Sequence, residues 1–369
     1  MHSIEICIAG AGIIGLSLAL ELHHRGARVT VLDQGHPLAE ASTAAAGMLA
    51  AADPDNPPEL RPLSLLSLSL YPGFLDRIES LSGIRVPFHT STTLQALPSH
   101  LAGKVREQDT LAPETLALML PQLNSGNHRF VLLAEESLDP RELAAALLAA
   151  VQATPIELRP HTAIRSIRSV RSGVEIDTSV GVVTAANFVD CTGAWSLTSH
   201  LLPHLRVTPL KGQMLAVALP PDFPLHVVVR TPEIYVVPRT TGPSANRAVI
   251  GATVEDAGFD KTVHAGDIAR LRSLAAALLP QLADAREVET WSGLRPTTAD
   301  RLPILGALRG ESNLSGPDKS NLYIATGHYR NGILLAPATA HLMAQVLAGE
   351  TSSIDLSRFS PDRLPTQRD

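Results

Sequence analysis

The apolar positions of this chain change period along its length, and the changes predict its elements. Ile4 to Ala9 is a short, mainly apolar run that reads as a strand, and Leu16 to His24 repeats apolar residues at helical spacing. Val29 to Leu32 is a second short strand. Prolines between Pro54 and Pro62 break the chain ahead of a helix expected over about Leu63 to Leu81. Asp139 and Pro140 supply an N-cap and a first helical residue for another helix, Arg141 to Gln152. Strands then follow closely at Ala163 to Ser169, Val174 to Asp177, Val180 to Thr184 and Phe188 to Cys191.

From Thr208 to Leu294 the strands read as longer and antiparallel: Gln213 to Ala218, Val227 to Arg230, Ile234 to Val237, Ala248 to Thr253 and Glu287 to Gly293. One helix, about Ala265 to Leu279, interrupts them. A polar surface loop, Glu311 to Ser320, precedes a last strand, Leu322 to Ala325. The run from Ile333 to Leu335, continued by Ala336-Pro337-Ala338-Thr339, reads as a C-terminal helix. No internal repeat is visible.

Between the first strand and first helix lies Gly10-Ala11-Gly12-Ile13-Ile14-Gly15. In this setting Gly10 allows a tight turn, Gly12 lets the backbone approach a pyrophosphate, and Gly15 lets helix pack closely on strand. The second strand ends in Asp33, eighteen residues after Gly15, where a carboxylate can accept from ribose hydroxyls. A lone glycine motif says little, but a complete strand-turn-helix-strand-acid unit predicts dinucleotide binding; it does not separate NAD from FAD. The expected fold is mixed α/β and α+β. A discontinuous Rossmann-like domain, residues 1–80, 136–205 and 291–369, receives an antiparallel-sheet substrate domain, residues 81–135 and 206–290.

Composition narrows the partners. The chain has 369 residues, 45% of them hydrophobic, enough for a large core and about two domains. A formal charge of -6 offers no basic field for nucleic acid or anionic lipid. No run of eighteen apolar residues appears and the N-terminus enters a strand directly, so a cytoplasmic protein without a membrane span is expected. Cys7 and Cys191 fall in apolar strands and read as small buried hydrophobes; neither they nor the 14 scattered histidines form a metal motif. His23 and His24 end the first helix and read as solvated.

The stretch Thr326-Gly327-His328-Tyr329-Arg330-Asn331-Gly332 brackets an arginine with glycines just before a helix. Such a turn points N–H groups and a positive dipole end at something electron-rich, although alone it also reads as an ordinary loop. Thr192-Gly193-Ala194-Trp195, following a strand, is a possible second turn beside the cofactor. Only one G-x-G-x-x-G exists, since Gly306 to Gly310 lacks the strand-turn-helix setting, so the electrons are expected from the substrate rather than from NAD(P)H. A flavin also suits the C-terminal turn, where N–H groups would meet the N1/C2 carbonyl edge that gains negative charge on reduction. Gly327 to Leu334 is therefore expected along the isoalloxazine.

With these residues in view, the chain resembles the D-amino acid oxidase superfamily of flavoproteins and, within it, the glycine oxidases. The motifs are Gly10 to Gly15, Thr43-Ala44-Ala45-Ala46-Gly47-Met48-Leu49, Tyr235-Val236-Val237-Pro238-Arg239, Gly293-Leu294-Arg295-Pro296 and His328 to Thr339. The resemblance implies a non-covalent FAD, since covalent relatives use a C-terminal cysteine and none follows Cys191. It implies cofactor contacts at Gly10, Gly12, Ile13, Ile14, Gly15, Asp33, Gln34, Ala41, Ser42, Ala46, Gly47, Met48, Ile164, Thr192, Gly193, Trp195, Gly327, His328, Tyr329, Arg330, Asn331, Gly332, Ile333 and Leu334.

Substrate roles are implied for five residues. Arg295 pairs with the substrate carboxylate through a bidentate guanidinium, Tyr235 adds a hydroxyl, Arg330 lies over flavin and substrate, and Met48 walls the site. Each has a plainer reading: surface arginine, core tyrosine, loop-capping cation and helix packing. Glu233 stands where the resemblance leads one to expect histidine, which puts the substrate, not the class, in question.

The implied activity is oxidative deamination of glycine or another small amino acid, sarcosine or D-alanine, to the oxo acid, ammonia and hydrogen peroxide. Hydride passes to flavin N5, and dioxygen restores the cofactor. A homo-oligomer and a role in thiamine thiazole synthesis are implied with it. The alternatives are a D-amino acid, sarcosine or proline dehydrogenase using another acceptor, and a flavin-binding subunit without activity.

Overall fold

The computed structural model describes residues 5–98, 110–171, 173–196, 206–308 and 321–363. Ile4, Gly310 and the expected loop Glu311 to Ser320 lie outside the described residues. A six-stranded sheet is built from β1 (Glu5–Ala9), β2 (Arg28–Leu32), β7 (Glu157–Arg159), β11 (Asn187–Asp190), β17 (Ile304–Ala307) and β18 (Leu322–Thr326). Their order is β17-β18-β11-β1-β2-β7, parallel except for the edge strand β17.

Its central strands are apolar because both faces are covered. Ile6 and Ile8 point to α1 (Ile13–His24), α3 (Arg61–Ser82), α5 (Pro140–Gln152) and α7 (Gly332–Ala348). Cys7 and Ala9 point the other way, onto the meander of β8 (Ile164–Val170), β9 (Gly173–Thr178) and β10 (Gly181–Ala185). Both cysteines are buried and free, and burial pushes the Cys7 thiol up to about 12. The Asp139 carboxylate accepts from the Arg141 N–H at 2.9 Å, the cap expected for α5.

A second sheet has seven strands, β16-β12-β15-β14-β13-β4-β5. These are β4 (Thr93–Ala96), β5 (Phe130–Leu133), β12 (Thr208–Ala218), β13 (Val228–Arg230), β14 (Tyr235–Arg239), β15 (Arg247–Gly251) and β16 (Glu287–Thr297). Leu215, Val217, Val236 and Ile250 pack on α6 (Ala265–Leu278), while Val228, Val237 and Val249 face Ala46 on the opposite side. A short pair, β3 (Phe88–Thr90) and β6 (Ser137–Leu138), forms a separate two-stranded sheet, and α2 (Ala41–Ala44) and α4 (Pro113–Met119) complete the helices named here.

Several boundaries differ from the sequence reading. Helix α1 begins at Ile13 rather than Leu16, because the glycine turn itself leads straight into the first helical turn. Strand β14 runs through Pro238, which was expected to end it; there only β15 lies alongside, so the missing N–H breaks no bond to β13. Strand β16 continues to Thr297, carrying Arg295 inside the sheet, because β12 pairs with it as far as Thr208. Strands β3, β4, β5, β6, β7 and β17 are additional.

Candidate active site

Four parallel strands end on one cavity of about 450 Å³: β1 at Gly10, β2 at Asp33, β11 at Thr192 and β18 at His328. This is where neighbouring strands run off to either side of β1, the crevice that open α/β sheets use for ligands. Gly10 holds φ at 94°, and a Cβ on it would lie 2.5 Å from the Cys191 carbonyl oxygen. A Cβ on Gly15 would lie 1.9 Å from the Gly10 oxygen, so only glycine lets α1 sit this close to the turn. Asp33 accepts from the N–H groups of Ala11 at 2.7 Å and Gly35 at 2.8 Å, and Ser42 accepts from Ile13 at 2.9 Å. The first turn of α1 is thereby fixed with its positive end toward the cavity.

Most of the expected residues meet there. Gly10, Gly12, Ile13, Ile14, Asp33, Gln34, Ala41, Ser42, Ala46, Gly47, Met48, Ile164, Thr192, Gly193 and Trp195 line the cavity, as do Glu233, Tyr235, Arg295 and His328 through Ile333. Gly15, Gly327 and Leu334 do not line it; they lie behind the wall. Gly327 at φ 77° packs against Thr298 and Leu334 is buried in α7, so each shapes the turn without reaching the space. Glu233 is exposed at the rim.

The second sheet makes the opposite wall. Arg295 Nη1 donates to the carbonyls of Thr253 at 3.1 Å and Lys211 at 3.3 Å, which fix the guanidinium without cancelling its charge. Burial pushes the Tyr235 hydroxyl up and the adjacent Arg295 opposes that shift, leaving a protonated donor beside a cation. Two glycines make the room. A Cβ on Gly212 would lie 2.3 Å from Arg295 Nη2, and one on Gly251 would lie 2.4 Å from the Tyr235 hydroxyl.

The loop at Ala46 to Leu49 is tied down from three sides. Arg239 Nη2 donates to the Ala46 carbonyl at 2.9 Å, Leu138 donates to Gly47 at 3.0 Å and Leu49 donates to Glu136 at 2.8 Å. Burial works against the Asp139 carboxylate, but the charge of Arg239 and the Arg141 N–H outweigh it and hold Asp139 below its usual range. At the C-terminal turn, burial pushes the His328 imidazole down to about 3, so it is neutral, and its Nε2 lies 3.0 Å from Thr339 Oγ1.

Sequence reasoning missed a polar group on the same cavity. Arg230, Gln95 and Asp53 all line it, and Arg230 is only 5% exposed. Its Nε donates to Gln95 and its Nη2 donates to Glu135 at 2.9 Å. It also missed Asp190, fully buried, which accepts from the Thr192 N–H at 3.0 Å and the Ser196 hydroxyl at 2.8 Å and so shapes the Thr192-Gly193 turn. An acid closing a strand two residues ahead of Thr192 was the available signal. Among the described residues, no cluster of three or more His, Cys, Asp or Glu could hold a metal, and no helix is long and apolar enough to cross a membrane.

A glycine turn under a helix N-terminus, roofed by a sheet carrying an arginine–tyrosine pair, defines a dinucleotide-dependent oxidoreductase. The chain belongs to the FAD dependent oxidoreductase family, whose model matches residues 5–346. It is 36% identical to the bifunctional protein ThiO/ThiG of Trichormus variabilis over 98% of this chain and 55% of that protein, so it spans about half that relative's length. It is 32% identical to the glycine oxidase of Geobacillus kaustophilus over 98% of this chain and 97% of that one. The crystal structure of glycine oxidase from Geobacillus kaustophilus matches with a TM-score of 0.87 at 31% identity, covering 98% and 99% of the two chains. The protein is an FAD-dependent oxidoreductase with the mixed α/β fold of that enzyme.

Proposed function

We propose that the protein oxidises glycine or another small amino acid, such as sarcosine or D-alanine, using dioxygen as acceptor. The observation that carries this reading is the placement of Arg295 and Tyr235 across one cavity from the Gly10–Gly15 turn. That cavity suits FAD: a Cβ on Gly12 would already lie 3.3 Å from Ser42 Oγ, so the glycine leaves a cradle at the start of α1 for a pyrophosphate. Asp33 and Gln34 would hold the adenosine ribose, Ala46 to Met48 one side of the flavin, and His328 to Gly332 its carbonyl edge.

When bound, FAD supplies the acceptor for the substrate's Cα hydride and passes the electrons to dioxygen as hydrogen peroxide. Arg295 binds the substrate carboxylate, and the Tyr235 hydroxyl donates to the same group, orienting Cα. Glycine, dioxygen and water then give glyoxylate, ammonia and hydrogen peroxide. We assign residues 1–80, 136–205 and 291–369 to the cofactor domain and the remainder to the substrate domain, and place the protein in the cytoplasm, a reading supported by two free buried cysteines. The match to ThiO/ThiG supports a role in thiamine thiazole synthesis.

The test is aerobic turnover of glycine, sarcosine, D-alanine and D-proline. Peroxide in proportion to substrate consumed is expected with at least one of them; turnover only with an added artificial acceptor would replace the oxidase by a dehydrogenase.

A further inference from the structure

Besides Arg295 the cavity is lined by two more arginines, Arg230 and Arg330, and their charges are balanced. Arg230 lies between Glu135, 2.9 Å from its Nη2, and Asp53, 3.7 Å from its Nε. Arg330 places Nη2 3.0 Å from the same Asp53 oxygen, Oδ2. Asp53 is thus shared by two guanidiniums, with a side chain only 6% exposed. Asn56 Oδ1 accepts from Arg330 Nη2 at 3.4 Å and from Asn331 Nδ2 at 3.0 Å, so the 53–56 segment holds the arginine-bearing turn through both residues. Arg330, Arg230 and Asp53 line the same cavity as Arg295 and Tyr235.

We propose that Asp53 determines specificity: together with Glu135 it neutralises Arg230 and Arg330 and leaves Arg295, among the described residues lining the cavity, as the one cation available to a carboxylate, restricting the site to substrates with a single anionic group. Two arginines, Asp53 and Glu135 sum to zero. Asp55 and Glu233, which line the same cavity, repel a second anion further. Without the Asp53 charge, two guanidiniums face only Glu135, and the cavity becomes a site for dicarboxylates. The inference deepens the amino-acid oxidase reading and rests on Arg295 as the carboxylate anchor.

Ligand binding rather than turnover decides it, so the result does not depend on whether the protein oxidises amino acids. Acetate, malonate and succinate are titrated into the FAD-loaded wild-type, Asp53→Asn, Asp53→Ser and Asp53→Glu proteins, with heat of binding as the readout. The wild type and Asp53→Glu should bind the better dicarboxylate no more tightly than acetate. Asp53→Asn and Asp53→Ser should favour it over acetate by about tenfold more than the wild type does, a shift that 0.5 M salt reduces. Unchanged selectivity in both neutral variants, or an equal shift in Asp53→Glu, would overturn the proposal. If selectivity shifts as expected but no amino acid is oxidised, the oxidase reading fails and the role of Asp53 stands.

Discussion

The Tyr71 hydroxyl on α3 donates to the Ile333 carbonyl on α7 at 2.6 Å. Pro337, four residues further along α7, has no N–H for that carbonyl, so a side chain from another helix takes the place of a helical bond. Ser67 repairs the next position, donating to the Leu334 carbonyl at 2.6 Å and accepting from the Ala338 N–H at 3.2 Å. The first turn of α7, which ends the cavity wall, is therefore held by α3 as well as by its own backbone.

Tyr71→Phe should consequently loosen the cofactor turn. A buried carbonyl left without a donor costs about 1–3 kcal/mol, so the melting temperature should fall and FAD should be released at lower denaturant concentration. Thermal and flavin-fluorescence melts measure both; an unchanged melt would show that the turn stands without α3.

Arg295→Ala removes a charge-assisted pair, and glycine should bind about 1.5–3 kcal/mol more weakly. Gly212→Ala tests the same anchor without touching it, because the added methyl would start 2.3 Å from Arg295 Nη2. A guanidinium pushed out of line should raise the KM for glycine by roughly tenfold or more, with FAD content unchanged. A wild-type KM in either variant would remove Arg295 from the site.

Stability should fall on the acid side of neutrality. Burial sets His328 near pKa 3 in the folded protein against an ordinary 6.5, so between these values the unfolded chain binds the extra proton. The stabilisation is complete above pH 6.5 and is lost as pH falls toward 3. Buried His89, down to about 4, acts in the same sense, while Glu135, raised by burial, acts oppositely. His328→Asn should flatten the dependence between pH 4.5 and 6.5 by up to about 1.4 kcal/mol per pH unit. Denaturant melts across that range check it, and an unaltered slope would contradict a neutral His328.

The cofactor side of the site was legible because its residues are local. Gly10 to Gly15, Asp33 and the 327–334 turn each announce a backbone geometry within a few positions, and the flanking elements have a clear period. Arg230 and Asp53 were not legible, because nothing near either residue names its partner. Arg230 meets Gln95 only through the parallel pairing of β13 with β4, whose register sets the two opposite each other. Strand β7, Glu-Leu-Arg, is too short and polar for a period to show, and Pro296 concealed the continuation of β16.

Anaerobic mixing of the FAD-loaded protein with glycine, sarcosine or D-alanine tests the central claim most directly. Bleaching of the oxidised flavin absorbance is expected with at least one of them, saturating at concentrations that rise in Arg295→Ala. Flavin that stays oxidised with all three would contradict amino-acid oxidation at this site.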